Sequence, residues 1–145
     1  MEAPAPPLIV LDTSVVVSAL VGPAGSPHDR LIDRVASGGV LLALSDDFLR
    51  ELSLVVGYPD VEPQIVSAAR AVRYGLELGV MGRLLPTPRH DWPSIRDPKD
   101  GWMLDLAWTA EADYIVTRDP HLTEATMPFP VEVLGPKQLL SRLPY

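Results

Sequence analysis

Residues Leu8-Ile9-Val10-Leu11 are apolar without a break, and the run stops at Asp12. A strand with one wet face alternates apolar and polar side chains. An unbroken apolar run of this length therefore reads as a strand buried on both faces. Val40–Leu44 has the same character, Tyr114–Thr117 reads as a third strand leading to Asp119, and Val131–Leu134 as a fourth. A sheet with such strands at its centre needs helices on both sides.

The segments between the strands supply them. Thr13 or Ser14 can cap a helix through Val15–Leu20 that ends at Gly22-Pro23. Ser26-Pro27 opens another, with Leu31, Ile32 and Val35 on its apolar side and Gly38-Gly39 after it. Ser45 caps a third carrying Phe48, Leu52, Val55 and Val56, which ends at Gly57 and Pro59. A fourth is expected to bury Ile65, Ala69, Val72 and Leu76 and to stop near Gly79. Pro86, Pro88 and Pro93 exclude a continuous helix in the next segment. Asp97-Pro98-Lys99-Asp100 is a helix start, backed by the stripe Met103, Leu104, Ala107 and Trp108, and Pro136–Leu143 closes the chain. Strands separated by helices in this way predict an α/β domain with a mainly parallel sheet covered on both faces.

The 145 residues fit one domain, with residues 1–7 as a short disordered arm rich in proline and residues 8–145 as the folded unit. No internal repeat or linker divides them. The stretch Leu8–Val21 is interrupted by Asp12 and is too short to span a bilayer, so no membrane segment is expected. The absence of cysteine excludes a disulfide framework, a thiolate zinc site and a cysteine nucleophile, and it fits a cytoplasmic location. With 12 Lys and Arg against 19 Asp and Glu, the net charge is −7. Such a chain does not hold nucleic acid through a broad basic face. If its substrate is a polyanion, another source of positive charge is required at the point of contact.

Ligand sites of open α/β sheets lie beyond the carboxyl ends of the strands. Asp12 sits at that end of the first strand and Asp119 just past that end of the third. Asp100 lies in the first turn of one helix and Glu51 in the second turn of another, and both helices begin at the same edge. Asp100 also lies on the stripe of Met103, Leu104 and Ala107, which points it towards the sheet. Each acid has an ordinary alternative reading: Asp12 as a cap, Asp97 and Asp100 as a capping pair, Asp119 as a turn residue, Glu51 as a solvated helix residue. Asp46 and Asp47 read as first-turn acids that complement a helix dipole. His28, His90 and His121 read as scattered surface residues. The common edge of the four acids is the argument for a site. Clustered carboxylates call for neutralising cations, and oxygen ligands without Cys or paired His suit Mg²⁺ or Mn²⁺. A hard-metal acidic site is suited to phosphodiester chemistry.

At these residues the chain resembles the PIN-domain nucleases. The motifs are Leu8-Ile-Val-Leu-Asp-Thr-Ser-Val-Val-Val-Ser-Ala-Leu, Ser45-Asp-Asp-Phe-Leu-Arg-Glu, Arg96-Asp-Pro-Lys-Asp-Gly-Trp-Met-Leu-Asp-Leu-Ala, Ala112-Asp-Tyr-Ile-Val-Thr-Arg-Asp and Val131-Glu-Val-Leu-Gly-Pro-Lys-Gln-Leu-Leu. They cover nearly the whole chain after the arm. The similarity is greatest to the VapC-like toxins of bacterial type II toxin–antitoxin pairs. The resemblance implies a three-layer α/β/α fold and a Mg²⁺- or Mn²⁺-dependent endoribonuclease. It carries the catalytic and metal-binding quartet over to Asp12, Glu51, Asp100 and Asp119. It also implies an RNA substrate and a small antitoxin partner, with a homodimer as a further expectation. Many relatives have another acid where this chain has Gly101, which leaves Asp97 as a supporting candidate. Thr13, Ser14 and Thr117 are candidates to hydrogen-bond the carboxylates or a metal-bound water.

Other classes lack their residues. A haloacid-type phosphatase needs a second Asp two positions after Asp12, where Ser14 stands. No G-x-S-x-G elbow, Walker loop or G-x-G-x-x-G occurs. The alternative within the family is an inactive PIN domain that binds RNA or a protein without cutting.

Overall fold

The computed structural model describes residues 5–65, 67–93 and 97–144. The first four residues of the expected arm lie outside them. The end of that arm is already tied down, because the Pro7 carbonyl accepts a hydrogen bond of 2.9 Å from the Leu41 amide.

Five parallel strands form the sheet, in the spatial order β3-β2-β1-β4-β5. They are β1 (Leu8–Leu11), β2 (Leu41–Leu44), β3 (Arg83–Leu84), β4 (Tyr114–Val116) and β5 (Glu132–Leu134). Seven helices accompany them among the described residues: α1 (Thr13–Val21), α2 (Pro27–Ala36), α3 (Asp46–Val56), α4 (Ala68–Met81), α5 (Gly101–Ala110), α6 (Pro120–Thr123) and α7 (Pro136–Arg142). The architecture is the three-layer α/β/α arrangement, and the sheet is wholly parallel.

The two faces of each central strand explain the layers. Ile9 and Leu11 join α1, α2, Tyr74 and Leu78 of α4 and Leu139 of α7 in one core, whereas Val10 joins Met103, Leu104, Leu106 and Ala107 of α5 in the other. Register aligns Val10 with Ala43 on one side and Ile115 on the other, so the second core is continuous across three strands.

Several local expectations are corrected. The cap of α1 is Asp12, which accepts from the Ser14 amide, rather than Thr13 or Ser14. α4 turns a different face inward. Val72 and Leu76 are 63% and 64% exposed, and Tyr74 and Leu78 are buried instead. The helix carries apolar residues on more than one stripe, and the buried one is selected by the Tyr74 hydroxyl, which donates to the Asp29 carboxylate of α2. Trp108 is half exposed and rests edge-on against Phe129, with ring centroids 5.3 Å apart. His90 is no isolated surface group, since its backbone N–H and its ring both contact the buried Asp105. β3 and α6 are additional elements. After α4 the chain passes so close to β2 that a Cβ on Gly82 would lie 2.3 Å from Leu44 Cδ1, so only glycine fits there.

Strand order locates the cleft. From β1 the chain builds outward to β2 and β3, then returns to the other side of β1 for β4 and β5. The reversal falls between β1 and β4, and the crevice beyond their carboxyl ends is the topological switch point.

Candidate active site

Asp12 follows β1 directly, and its amide donates to the Val116 carbonyl at 2.9 Å, which pins it to the end of β4. Its side chain is held from the first turn of α1 and from the end of β4. Oδ1 accepts from the Ser14 amide at 3.2 Å, and Oδ2 accepts from the Thr117 hydroxyl at 2.7 Å. Thr117 is fully buried, and its Oγ1 in turn accepts from the Asp119 amide at 3.0 Å. One hydroxyl therefore fixes both the Asp12 carboxylate and the turn that carries Asp119. Asp119 caps α6 by accepting from the His121 amide at 2.9 Å.

Glu51 comes from α3, whose N-cap Ser45 ends the β2 segment. Its Oε2 accepts from the Thr13 hydroxyl at 3.0 Å. Burial pushes the Glu51 carboxyl up. The Thr13 bond pulls it down, and the Asp12 and Asp47 charges push it up again, for a net rise. Thr13 and Thr117 thus each position one carboxylate. Ser14 donates its backbone N–H to Asp12, and its own hydroxyl is buried without a hydrogen-bond partner among the described residues.

Asp97 caps the short 3₁₀ turn Pro98–Asp100 by accepting from the Lys99 amide at 3.0 Å. That turn delivers Asp100 to the start of α5. Asp100 is the most perturbed carboxyl of the group. It is pushed up to about 6, first by burial and then by the charges of Asp97, Asp12, Asp119 and Glu51. All four of those charges are negative. Acids from the end of β1, from α3, from the turn before α5 and from the β4–α6 turn therefore all act on Asp100 at the switch point.

The ordinary reading of several acids as caps holds alongside their clustering. Asp12, Asp97 and Asp119 each cap a helix and also face the cluster. Position 101 could hold a side chain, because a Cβ there meets nothing nearer than Trp92 Cδ1 at 3.9 Å. The glycine is thus not imposed by crowding.

The donor set is entirely oxygen: five carboxylates, the buried Ser14 hydroxyl and the two threonine hydroxyls. Mutual repulsion and the orphaned hydroxyl fit a hard divalent cation. Among the described residues, no three Asp, Glu or His side chains stand close enough to form a finished metal cage. The arrangement is an acidic cluster at the carboxyl edge of the sheet.

Similarity to known proteins accords with this geometry. The family model described as PIN domain matches residues 8–121. No curated protein is similar to the chain in sequence. The fold superposes on the crystal structure of VapBC2 from Rickettsia felis bound to a DNA fragment from their promoter. That match has a TM-score of 0.57 and 14% identity, and it covers 88% of this chain and 98% of that one. It also superposes on the PIN domain of human SMG5, with a TM-score of 0.50, 14% identity and coverage of 94% and 98%.

Proposed function

We propose an activity from one established premise: this chain belongs to the PIN-domain family, whose domains are generally nucleases. The proposed activity is that of a Mg²⁺- or Mn²⁺-dependent endoribonuclease, acting by hydrolysis at the crevice between β1 and β4. The observation that carries it is Asp100, a half-buried carboxyl surrounded by four further acids at a switch point. A cluster of that kind has no structural use for its own repulsion, and it suits cation-assisted phosphodiester chemistry.

Asp12, Glu51, Asp100 and Asp119 would hold the ion, with Asp97 in support. A bound divalent cation there supplies charge neutralisation for the phosphate and acidifies an attacking water. The chain's own part is orientation. Thr117 holds Asp12 and the Asp119 turn, Thr13 holds Glu51, and the 3₁₀ turn sets Asp100 against both.

The likeness to VapC-like toxins supports a toxin role, a small antitoxin partner and a cytoplasmic setting. Among the described residues no helix is long and apolar enough to cross a membrane. Exposed apolar side chains on the α3–α4 flank (Leu54, Tyr58, Val72, Leu76 and Val80) support a protein partner there. Val55 and Val56 of α3 are half-buried and do not belong to that exposed set.

The test is incubation of structured and unstructured RNAs with wild type and Asp12→Asn in Mn²⁺, Mg²⁺ or EDTA. Internal cuts with 5′-phosphate ends are expected from wild type with metal alone. Ends carrying 2′,3′-cyclic phosphate, or equal cutting in EDTA, would overturn the mechanism. RNA binding without any cutting would favour an inactive binding module.

A further inference from the structure

A nuclease crevice built from acids leaves unanswered how a polyanion is held there. The answer lies on the other side of Thr117. A cleft of about 440 Å³ opens between the start of α2, the β4–α6 turn and the start of α7. Its lining includes His28, Arg118, Lys137 and Gln138, together with Thr117 and Pro120, and no carboxylate. In a chain with 19 acids and 12 lysines and arginines, an acid-free cleft beside the acidic cluster is a local reversal of charge.

Thr117 joins the two sites. Its hydroxyl binds Asp12 while the residue lines the cleft, and Pro120 of the lining directly follows Asp119. Among the described residues, neither Arg118 nor Lys137 forms a salt bridge. Arg118 donates to the Ser18 hydroxyl, a neutral partner that orients the guanidinium without cancelling its charge. By contrast Arg50, Arg73 and Arg142 each pair with carboxylates elsewhere. His28 is partly buried and sits within reach of the Arg118 charge. Burial first and Arg118 second hold its pKa below the ordinary value, so at neutral pH it presents an uncharged imidazole.

We propose that this cleft binds a backbone phosphate of the substrate strand next to the scissile one, with Arg118 and Lys137 as positioning residues. The proposal deepens the nuclease reading and rests on it for the direction of the strand. A single strand is held by a positive groove that tracks its backbone, and phosphate contacts set register without reading bases. Here two cations are placed to one side of the acids, so the strand crosses the edge of the sheet from the α7 side towards α5.

The test separates binding from cutting. Anisotropy of a fluorescein-labelled unstructured single-stranded RNA is followed in EDTA, across a range of salt, for the full-length protein. Arg118→Gln and Lys137→Gln are each expected to weaken binding by about three- to tenfold. The slope of log K against log salt should become shallower by ~0.7 for each lost contact. Arg118→Lys should restore most of the slope, and Arg83→Gln, on the far edge strand, should bind as wild type. With Mn²⁺ the same variants should raise KM and leave kcat within about twofold. Wild-type affinity and slope in the Arg118 and Lys137 variants would overturn the proposal, as would a wild type that binds no RNA at low salt. Arg118-dependent binding by a wild type that cuts no RNA would keep the cleft and remove the nuclease reading.

Discussion

Two sets of buried or half-buried carboxylates in this protein have opposite surroundings. Asp29 of α2 accepts from the Gly25 amide at 2.9 Å, from the Tyr74 hydroxyl and from Arg73 at 3.0 Å. Burial pushes it up, but the Gly25 and Tyr74 bonds and the Arg73 and Arg70 charges outweigh that, and its pKa is lowered overall. Asp105 of α5 likewise accepts from the His90 amide at 2.9 Å and from the Trp92 indole at 2.7 Å, which fastens the proline-rich segment to the helix. These acids join elements. Among the described residues, the charges that act on Asp100 are all acidic, and its pKa is raised. The contrast teaches that a buried carboxylate is informative through its partners. Donors and cations mark it as a joint, and other carboxylates mark it as a candidate for a site.

The comparison breaks most visibly in activity. Asp12→Asn and Asp100→Asn should each lower RNA cleavage more than about a hundredfold, beyond the effect of disturbing a group that merely orients a ligand. Melting curves in EDTA should show both variants as stable as wild type or more so, because repulsion is relieved. With Mn²⁺ the order should reverse, since wild type alone gains binding free energy in its native state. Equal Mn²⁺ stabilisation of wild type and variants would show that these acids hold no ion.

Thr117→Val is next, at about 10- to 100-fold in cleavage. It removes the donor that fixes Asp12 and the acceptor that fixes the Asp119 amide. Loss confined to stability, with full activity per folded molecule, would show that the threonine serves the fold alone.

Asp29→Ala should do the reverse. Leaving the Gly25 N–H and the Tyr74 hydroxyl without their acceptor should cost about 1–3 kcal/mol in a denaturant titration. Specific activity of the folded fraction should stay at the wild-type level. Asp97→Ala should cost about 1 kcal/mol through loss of its cap, whether or not metal is present. A cost that appears with Mn²⁺ alone would move Asp97 from the fold into the site.

The smallest effect is on pH dependence, and its sign differs between the two regions. The folded-state pKa of Asp100 lies above its unfolded value of 3.8, so between about pH 4 and 6 the folded chain keeps a proton that the unfolded chain releases. Its contribution to metal-free stability therefore falls as pH rises through that window. Asp29 has a lowered folded value, so its contribution is present above the unfolded pKa and is lost as pH falls through the folded one. Difference curves of melting temperature against pH, for Asp100→Asn and Asp29→Asn relative to wild type, should slope in opposite directions.

Much of this was legible in the chain itself. The unbroken apolar runs of β1 and β2, the caps Ser26, Ser45 and Asp97, and the position of Asp12 after β1 are local patterns, and local patterns report local backbone. The four acids could be assigned to one edge because helices following parallel strands start at the same end. β3 escaped because two exposed residues carry no period at all. The α6 turn escaped because four residues are too few for an apolar stripe.

Sequence alone determined a parallel α/β domain with an acid at the end of its first strand, since burial on both faces leaves its mark on every residue of a strand. Tertiary structure decided which face of α4 is buried, because two apolar stripes compete and the partner across the interface selects between them. It also decided that β4 lies beside β1. That adjacency lets the Thr117 hydroxyl reach Asp12 across 105 positions of chain, and it sets an acidic crevice next to a basic cleft. Charge adds over distance in space, and strand order sets those distances.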